Sequence, residues 1–164
     1  MDEVAEIFEK LMGTLDYPVF IVTTAAGERR EGCLIGFATQ ASLDPPRFLA
    51  CLSRENRTQR LAHAQEIEAL AVHLVPRERT DLVELFGGET GDEIDKFARC
   101  EWRRGPRDLP ILAGCPSWFA GSILSRHDLG DHEGFLLSPI EAHYEPGERS
   151  YFQDVKYVEP GHPA

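Results

Sequence analysis

The sequence predicts a mainly β protein, a β-barrel with short helical insertions. Six or seven short segments rich in β-branched and aromatic residues follow one another along the 164 residues, separated by residue types that favour turns. The predicted helices are few and short, and they do not alternate regularly with the strands. A doubly wound parallel sheet requires such alternation, so a barrel is the expected architecture.

Composition limits the classes of function. The length is that of one domain, and 42% apolar residues can build a core. The formal net charge of −11 argues against a nucleic-acid-binding surface, which needs clustered Lys and Arg. No apolar run is long enough to span a bilayer, and the acidic N-terminus is not typical of a signal peptide. We therefore expect a cytoplasmic protein without a nucleic-acid or membrane partner.

The four cysteines predict neither disulfides nor a metal site. They include no Cys-x-x-Cys pair, and in an intracellular chain of this size they are expected to be reduced. Cys100 and Cys115, taken with two histidines farther along the chain, lack the closely spaced cysteines that structural zinc sites use. We predict no metal.

The first part of the chain predicts a helix and three strands. An amphipathic helix is indicated by the i, i+3, i+4, i+7 spacing of Val4, Ile7, Phe8 and Leu11. Gly13 is expected to end this helix. Strands are expected at 17–24, 33–39 and 47–53, with a turn around Gly27 between the first two.

The middle of the chain predicts short helices around one strand. Asn56 is a candidate N-cap for the first helix. A strand is expected at 67–75, and His73 within it is interpreted as a satisfied strand residue rather than a ligand. A helix over RTDLVELFGG is expected to end at its two glycines, and a further short helix over TGDEIDKFARC has Asp92 as its candidate cap.

The last part of the chain predicts two long strands and a polar tail. The strands are expected at 115–126 and 133–144, around a tight turn with the sequence HDLGDH. The final residues are polar and punctuated by Pro and Gly. We therefore divide the chain into a domain over residues 1–145 and a C-terminal arm over residues 146–164.

Pro45 and Pro46 predict a rigid corner between two of the strands. Each proline ring fixes one φ angle and removes one backbone donor, and the residue before them is forced into an extended conformation. The corner would expose a short polar edge that could face a planar heterocycle, formed by Thr39, Gln40, Ala41 and Ser42. A rigid connection without a ligand explains the same residues equally well.

A polar segment follows the next strand, where a helix is expected to begin. It contains Ser53, Arg54, Asn56, Arg57 and Thr58. Hydroxyls, backbone amides and a helix N-terminus are the usual donors to phosphate. A solvated loop that caps the helix is the alternative.

Motifs of several common enzyme classes do not occur in the sequence. These are the dinucleotide-binding Gly-x-Gly-x-x-Gly, the P-loop, the Gly-x-Ser-x-Gly elbow and His-Glu-x-x-His. A Rossmann dehydrogenase, a P-loop enzyme, a serine hydrolase and a zincin are therefore disfavoured.

Six segments, taken in order, carry a family resemblance. They are YPVFIVTT, GCLIGFATQASLDPPRFLACLSRENRT, LAVHLV, LFGGETGDEIDKF, LPILAGCPSWFAG and GDHEGFLL. Together they cover roughly residues 15 to 145 and are similar to the flavin reductase-like family, split-barrel proteins that bind flavin mononucleotide (FMN). The Ser-Leu-Asp-Pro-Pro corner, Asp-Lys-Phe and Gly-Asp-His are the most specific parts.

The resemblance implies a fold, an assembly and a set of cofactor-binding residues. The expected molecule is a homodimer of split β-barrels, with flavin near the subunit interface. The segment from Thr39 to Ser42 would lie along the isoalloxazine ring. The phosphate would be held by Ser53, Arg54, Asn56 and Thr58. Lys96 of the Asp-Lys-Phe motif is a further candidate phosphate partner, within one subunit or across the dimer.

His132 of the Gly-Asp-His motif is the candidate catalytic residue. The resemblance implies that it hydrogen-bonds the nicotinamide or the flavin, or controls access to them. The implied activity is an NAD(P)H-dependent reduction of FMN or FAD, with hydride passing from NADH or NADPH to the flavin N5 atom. Reduced flavin could then serve a monooxygenase.

Two alternatives remain open at this point. The chain could bind flavin, a deazaflavin or haem without turnover. It could also have lost the ligand, because it departs from the family pattern at Leu34, Gly36 and Phe37, where small hydroxyl or Asn residues are usual. Gln40 also replaces a common Ser, and the polar arm replaces an apolar, aromatic final strand.

Overall fold

A computed structural model of the chain describes residues 2–88 and 94–158. The fold is mainly β, with a seven-stranded antiparallel sheet, a separate two-stranded ribbon and a few short helices. Among the residues described, no helix combines the length and the apolar character that crossing a membrane requires.

The strands and helices of the described residues are numbered in chain order. The strands are β1 (Phe20–Ala26), β2 (Arg29–Ile35), β3 (Ala38–Leu43), β4 (Pro46–Ser53), β5 (Ala69–Leu74), β6 (Trp102–Arg104), β7 (Pro110–Leu112), β8 (Trp118–Asp128) and β9 (His132–His143). The α-helices are α1 (Glu3–Met12), α2 (Arg57–Ala62), α3 (Thr80–Gly88) and α4 (Phe152–Val155). Two short 3-10 turns span Lys96–Ala98 and Pro106–Asp108.

The large sheet is curled. Its strand order is β2-β1-β5-β8-β9-β4-β3, so the consecutive strands β2 and β3 form its two opposite edges. Only Gly36 and Phe37 separate these two strands. Three residue steps span at most about 10 Å, so the end of one edge must lie close to the start of the other. The two edges therefore approach each other at Gly36 and Phe37, where β2 is connected to β3.

The single strand predicted over residues 33–39 is wrong, because two strands share this segment. The first part pairs with β1 and the second part pairs with β4. The break falls at Gly36, where the ring of Tyr17 packs on the backbone. A Cβ atom at position 36 would lie 2.6 Å from Cε2 of Tyr17. Periodicity could not reveal the break, since both halves are apolar.

Three of the predicted helices are confirmed as α1, α2 and α3, whereas the described part of the helix expected over TGDEIDKFARC contains only the 3-10 turn at Lys96–Ala98. Asp2 caps α1 by accepting a hydrogen bond from the Ala5 amide at 2.8 Å, and Gly13 follows the last helical residue. Asn56 occupies the N-cap position of α2. The predicted cap Asp92 lies outside the described residues, whereas Asp95 caps the 3-10 turn that follows it.

Three short elements were not predicted from the sequence. Strands β6 and β7 have three residues each, and α4 has four. Such lengths are too short for a hydrophobic period to be recognised. The strands expected at 115–126 and 133–144 are confirmed as β8 and β9, joined by a turn in which Gly130 has a φ of 118°.

The sheet is buried on both faces around β1. Val22 belongs to one apolar cluster, with Leu52, Leu70 and Phe135. Ile21, its neighbour, belongs to a second cluster with α3 and the 3-10 turn at Lys96–Ala98. Successive residues of a strand point to opposite faces, so a strand covered on both sides is apolar throughout.

The C-terminal arm lies against this second cluster. The Ser150 amide donates to the Val75 carbonyl and the Phe152 amide donates to the Tyr17 carbonyl, both at 2.8 Å. The rings of Tyr17 and Phe152 are stacked, with centroids 4.9 Å apart. Val155 is buried in the cluster. Part of the C-terminal arm therefore contributes to the core.

Candidate functional site

A cavity of about 590 Å³ opens between the curled sheet and the C-terminal arm. This volume is typical of a small-molecule site. Its lining includes Phe37, Ser53, Asn56, His132, Phe152 and Lys156. They come from four separate parts of the chain, so the sheet and the arm must both be folded for the cavity to exist.

Strand pairing brings two predicted site residues together. In the antiparallel register of β4 and β9, Ser53 lies opposite His132. The next residue continues the contact, since the Arg54 amide donates to the Asp131 carbonyl at 3.0 Å. Two segments about eighty positions apart in the sequence thus meet at one edge of the cavity.

The ring of His132 is held from two sides. Its Nδ1 lies 2.7 Å from Oδ1 of Asp131, and its ring centroid lies 4.9 Å from that of Phe37. The hydrogen bond with His132 lowers the pKa of the Asp131 carboxyl, so this group is an ionised acceptor and Nδ1 carries the hydrogen. Within residues 2–88 and 94–158, Nε2 of His132 makes no hydrogen bond, which leaves it for a ligand.

Arg54 supports the turn that carries His132. Its guanidinium donates to Oδ1 of Asp128 at 2.7 Å and to the Gly130 carbonyl at 3.0 Å. The hydrogen bond from Arg54 lowers the pKa of the Asp128 carboxyl. The guanidinium therefore binds the turn between β8 and β9. The structure does not place it in the cavity lining.

Ser53 and Asn56 present polar groups at the junction of β4 and α2. Asn56 is the N-cap residue by backbone geometry, but its side chain does not cap the helix, although it lines the cavity. The hydroxyl of Ser53 accepts only a 3.3 Å bond from the Glu55 amide among the described residues. Both side chains retain hydrogen-bonding capacity toward a ligand.

Two other predicted phosphate ligands lie in the core. Thr58 is 1% exposed and hydrogen-bonds with the thiol of Cys33. Lys96 is 6% exposed, and its Nζ donates to the carbonyls of Gly32 at 3.0 Å and Phe86 at 3.4 Å. These side chains hold β2 against α2 and α3, and neither lines the cavity.

The residues predicted to contact a ring lie on an exposed sheet edge. Thr39, Gln40 and Ala41 are exposed on β3 and Ser42 is half-buried, and a bulge interrupts the pairing with β4 between Gln40 and Ser42. The Pro corner connects β3 to β4, and the Asp44–Pro45 peptide bond is cis. This edge begins directly after Phe37, at the rim of the cavity, and is not part of its lining.

One wall of the cavity was missed by sequence reasoning. Tyr17 packs on Gly36 and also contacts Phe37, with ring centroids 6.4 Å apart. Leu34 packs on Gly87, where an added Cβ would lie 2.8 Å from its Cδ2. A signal was present, since Leu34, Gly36 and Phe37 are the positions at which the chain departs from the family pattern. No motif or residue pattern in the sequence around Phe152 and Lys156 predicted that they line the cavity.

In residues 2–88 and 94–158, no three His, Cys, Asp or Glu side chains are grouped as a metal site would require. Cys51, which lines the cavity, has a pKa raised by burial. Its thiol is therefore protonated near neutral pH and is a poor nucleophile or ligand.

The model of a protein family, the flavin reductase like domain, matches residues 12–159. The chain belongs to the flavin reductase-like family. The match covers β1 to β9 and extends through the arm, so it includes every wall of the cavity. The family assignment made from the sequence motifs is confirmed.

Similar proteins include flavin reductases and a rubredoxin. The high molecular weight rubredoxin of Moorella thermoacetica is 28% identical over 153 residues, which are 90% of this chain and 66% of that protein. The reductase subunit HsaB of a flavin-dependent monooxygenase from Rhodococcus jostii is 31% identical over 129 residues, 76% of this chain and 62% of that protein. The NADH-dependent FMN reductase RutF of Methylorubrum extorquens is 28% identical over 138 residues, 84% and 65%. This chain thus spans slightly less than two thirds of these relatives.

Solved structures share the fold. An NADH:FAD oxidoreductase, SgcE6 of Streptomyces globisporus, superposes with a TM-score of 0.80 at 21% identity, over 92% of this chain and 90% of that one. An FMN-binding protein of Thermus thermophilus superposes with a TM-score of 0.72 at 26% identity, over 78% of this chain and 70% of that one. The first of these likenesses supports the fold alone.

Proposed function

We propose that the chain is an NAD(P)H-dependent flavin reductase, an NAD(P)H:flavin oxidoreductase that binds FMN or FAD. The observation that carries this proposal is the cavity, in which the rings of Phe37 and His132 lie beside the polar side chains of Ser53 and Asn56. The family supports it, because relatives include an NADH-dependent FMN reductase and the reductase subunit of a monooxygenase.

The cavity fits a flavin in size and in chemistry. A flavin mononucleotide joins a flat apolar ring system to a polar ribityl phosphate. Phe37 is 55% exposed, so its ring offers a face on which a planar heterocycle can stack. Ser53 and Asn56 can donate hydrogen bonds to the polar end, each worth about 0.5–1.5 kcal/mol. The edge from Thr39 to Ser42 would continue the contact outside the cavity.

The residues of this chain would bind and orient the ligands, and Asp131 keeps a hydrogen on Nδ1 of His132. Bound flavin would supply the redox chemistry, accepting a hydride from NADH or NADPH at its N5 atom. Asp131 fixes the imidazole of His132 so that Nε2 faces its ligand in one orientation. This nitrogen can hydrogen-bond the nicotinamide or the flavin as charge develops. Arg54 acts as a positioning residue, because it holds the turn that carries His132.

Our proposal includes a homodimer of split β-barrels. The closeness of the two sheet edges at Gly36 and Phe37 supports the barrel. Exposed apolar surface supports the dimer, since Ile7, Phe8 and Leu11 on one face of α1 are each more than half exposed in the single chain. A monooxygenase that uses the reduced flavin is a further partner we propose, by analogy with the relatives that are reductase subunits.

A visible spectrum tests the proposal. Purified protein is mixed with FMN and, under anaerobic conditions, with NADH or NADPH. We expect shifted flavin bands that bleach when one of the two donors is added, which also identifies the donor. Bound flavin that stays oxidised would instead indicate a flavin-binding protein without turnover, and unshifted bands would contradict flavin binding.

The role of His132 is tested by its replacement. His132→Ala should slow flavin reduction by roughly 10²-fold or more, as is typical of a group that acts in proton transfer or charge stabilisation. The affinity for FMN should change much less. His127→Ala is the matched control, because this histidine contacts Ser125 instead, at 2.7 Å. Stopped-flow rates equal to those of the unaltered protein would contradict the role.

A further inference from the structure

We propose that Lys156, on the C-terminal arm, binds a phosphate group of the nucleotide held in the cavity. This inference rests on the proposed function, because it requires a phosphorylated ligand in that cavity. It gives the arm a role that the sequence did not indicate. The chemistry is that of a flavin phosphate or a nicotinamide-dinucleotide phosphate, and the experiment below distinguishes the two.

Of the cations that the sequence motifs offered to a phosphate, Arg57 pairs with Glu31 at 3.1 Å and does not line the cavity. The guanidinium of Arg54 binds Asp128 and the Gly130 carbonyl. The ammonium of Lys96 is buried and binds two backbone carbonyls. Both groups already have partners that their positions require, and neither lines the cavity.

Lys156 is the cation that remains as a candidate partner for the phosphate. It lines the cavity together with Ser53 and Asn56, and no other Lys or Arg of residues 2–88 and 94–158 does so. Within the same described ranges it forms no ion pair. Asp131 also lines the cavity as an ionised carboxylate, so an anionic ligand entering without a cation would be repelled.

The three residues that precede Lys156 anchor the arm at this point. Upstream, the Gln153 amide donates to Oδ1 of Asp16 at 3.0 Å, and Arg77 contacts Asp154 at 3.3 Å. Directly before the lysine, Val155 is 6% exposed in the core. The backbone of residue 156 is therefore anchored, while its side chain is exposed to solvent and can reach a ligand.

Paired measurements on phosphorylated and phosphate-free ligands test the inference. Lys156→Met is compared with Lys156→Arg, which keeps the charge, and with Lys10→Met, which removes the other exposed lysine, on α1. Dissociation constants are measured for FMN and for riboflavin. Rates at saturating flavin are measured with NADH and with 1-benzyl-1,4-dihydronicotinamide, which has no phosphate.

If the lysine serves the flavin phosphate, Lys156→Met should weaken FMN binding by roughly three- to tenfold and leave riboflavin binding unchanged. If it serves the dinucleotide, the KM for NADH should rise by a similar factor, with no change for the benzyl analogue. Either effect should shrink as salt is added, and Lys156→Arg should restore most of it. Lys10→Met should show neither effect.

Two results would overturn the inference while leaving the proposed function intact. One is a Lys156→Met protein that binds FMN and uses NADH as the unaltered protein does. The other is an equal loss for phosphorylated and phosphate-free ligands, which would mean that the arm shapes the cavity without binding phosphate. An unaltered protein that binds no flavin would instead reject the proposed function, and the inference with it.

Discussion

Polar side chains occur in two regions of this molecule, and they are used differently. In the core, the polar atoms of His73 and Lys96 bind other groups of the chain: the histidine donates to the Ile21 carbonyl and accepts from the Leu112 amide, and the lysine donates to two carbonyls. At the cavity, Asn56 and Lys156 face open space. A polar group satisfied by its own chain stabilises the fold, whereas one left toward a cavity is available to a ligand.

The largest expected effect concerns the core, through His73. Complete burial lowers the pKa of this imidazole to about 4, from 6.5. The folded state therefore resists protonation more than the unfolded state does. The contribution to stability is complete above pH 6.5 and is lost as the pH falls toward 4, by about 3 kcal/mol over this interval.

Urea unfolding of the unaltered protein and of His73→Gln, at pH 7 and at pH 4, measures this contribution. The free energy of unfolding should fall more steeply with acidification in the unaltered protein, because the variant lacks the imidazole. His127→Gln, at an exposed position, controls for replacing a histidine. Equal losses in all three proteins would contradict the structural role of His73.

A smaller loss of stability is expected from Lys96→Met. This variant distinguishes the core from the cavity, because it should change stability without changing flavin affinity. Loss of the hydrogen bonds to Gly32 and Phe86 should lower the free energy of unfolding by about 2 kcal/mol. The affinity of the folded protein for FMN should not change, since this lysine does not line the cavity. Weaker FMN binding with an unchanged urea midpoint would instead favour the phosphate role that the sequence motif implied.

The smallest effects are expected from two variants that each remove one hydroxyl. Ser53→Ala, at the cavity, should weaken FMN binding several-fold, or about 1 kcal/mol, with little change in stability. Thr58→Val, in the core, should leave FMN affinity unchanged and lower stability by about 1 kcal/mol or less. Calorimetric titration and urea unfolding of both proteins measure the contrast. The reverse pattern would place the phosphate contact at Thr58.

The sequence predicted those elements that depend on neighbouring residues, and it failed for those that depend on contacts with distant segments. The helix at Glu3–Met12, the strands β8 and β9 and the turn at Gly130 follow from patterns within a few neighbouring residues, and they were predicted. The break at Gly36 was not, because the ring that packs there belongs to Tyr17, on another segment. The three-residue strands β6 and β7 are too short to have a period.

The candidate site divides in the same way. Ser53 and His132 lie at the ends of predicted strands and Asn56 lies at the start of a predicted helix, and all three line the cavity. Thr58 and Lys96 belong to equally recognisable motifs, but their side chains are buried in the core and do not line the cavity. The rings of Tyr17, Phe37 and Phe152, together with Lys156, complete the cavity through contacts between distant segments.

The sequence by itself determined the family, the mainly β fold and the segments from which polar groups are drawn. These properties depend on local periodicity, turn chemistry and the order of short motifs, all of which can be read along the chain. Only the tertiary structure decided which polar groups face the cavity and that the C-terminal arm forms one of its walls. The reason is physical: whether a side chain is paired or available depends on neighbours brought together by packing, and those neighbours lie far away in the sequence.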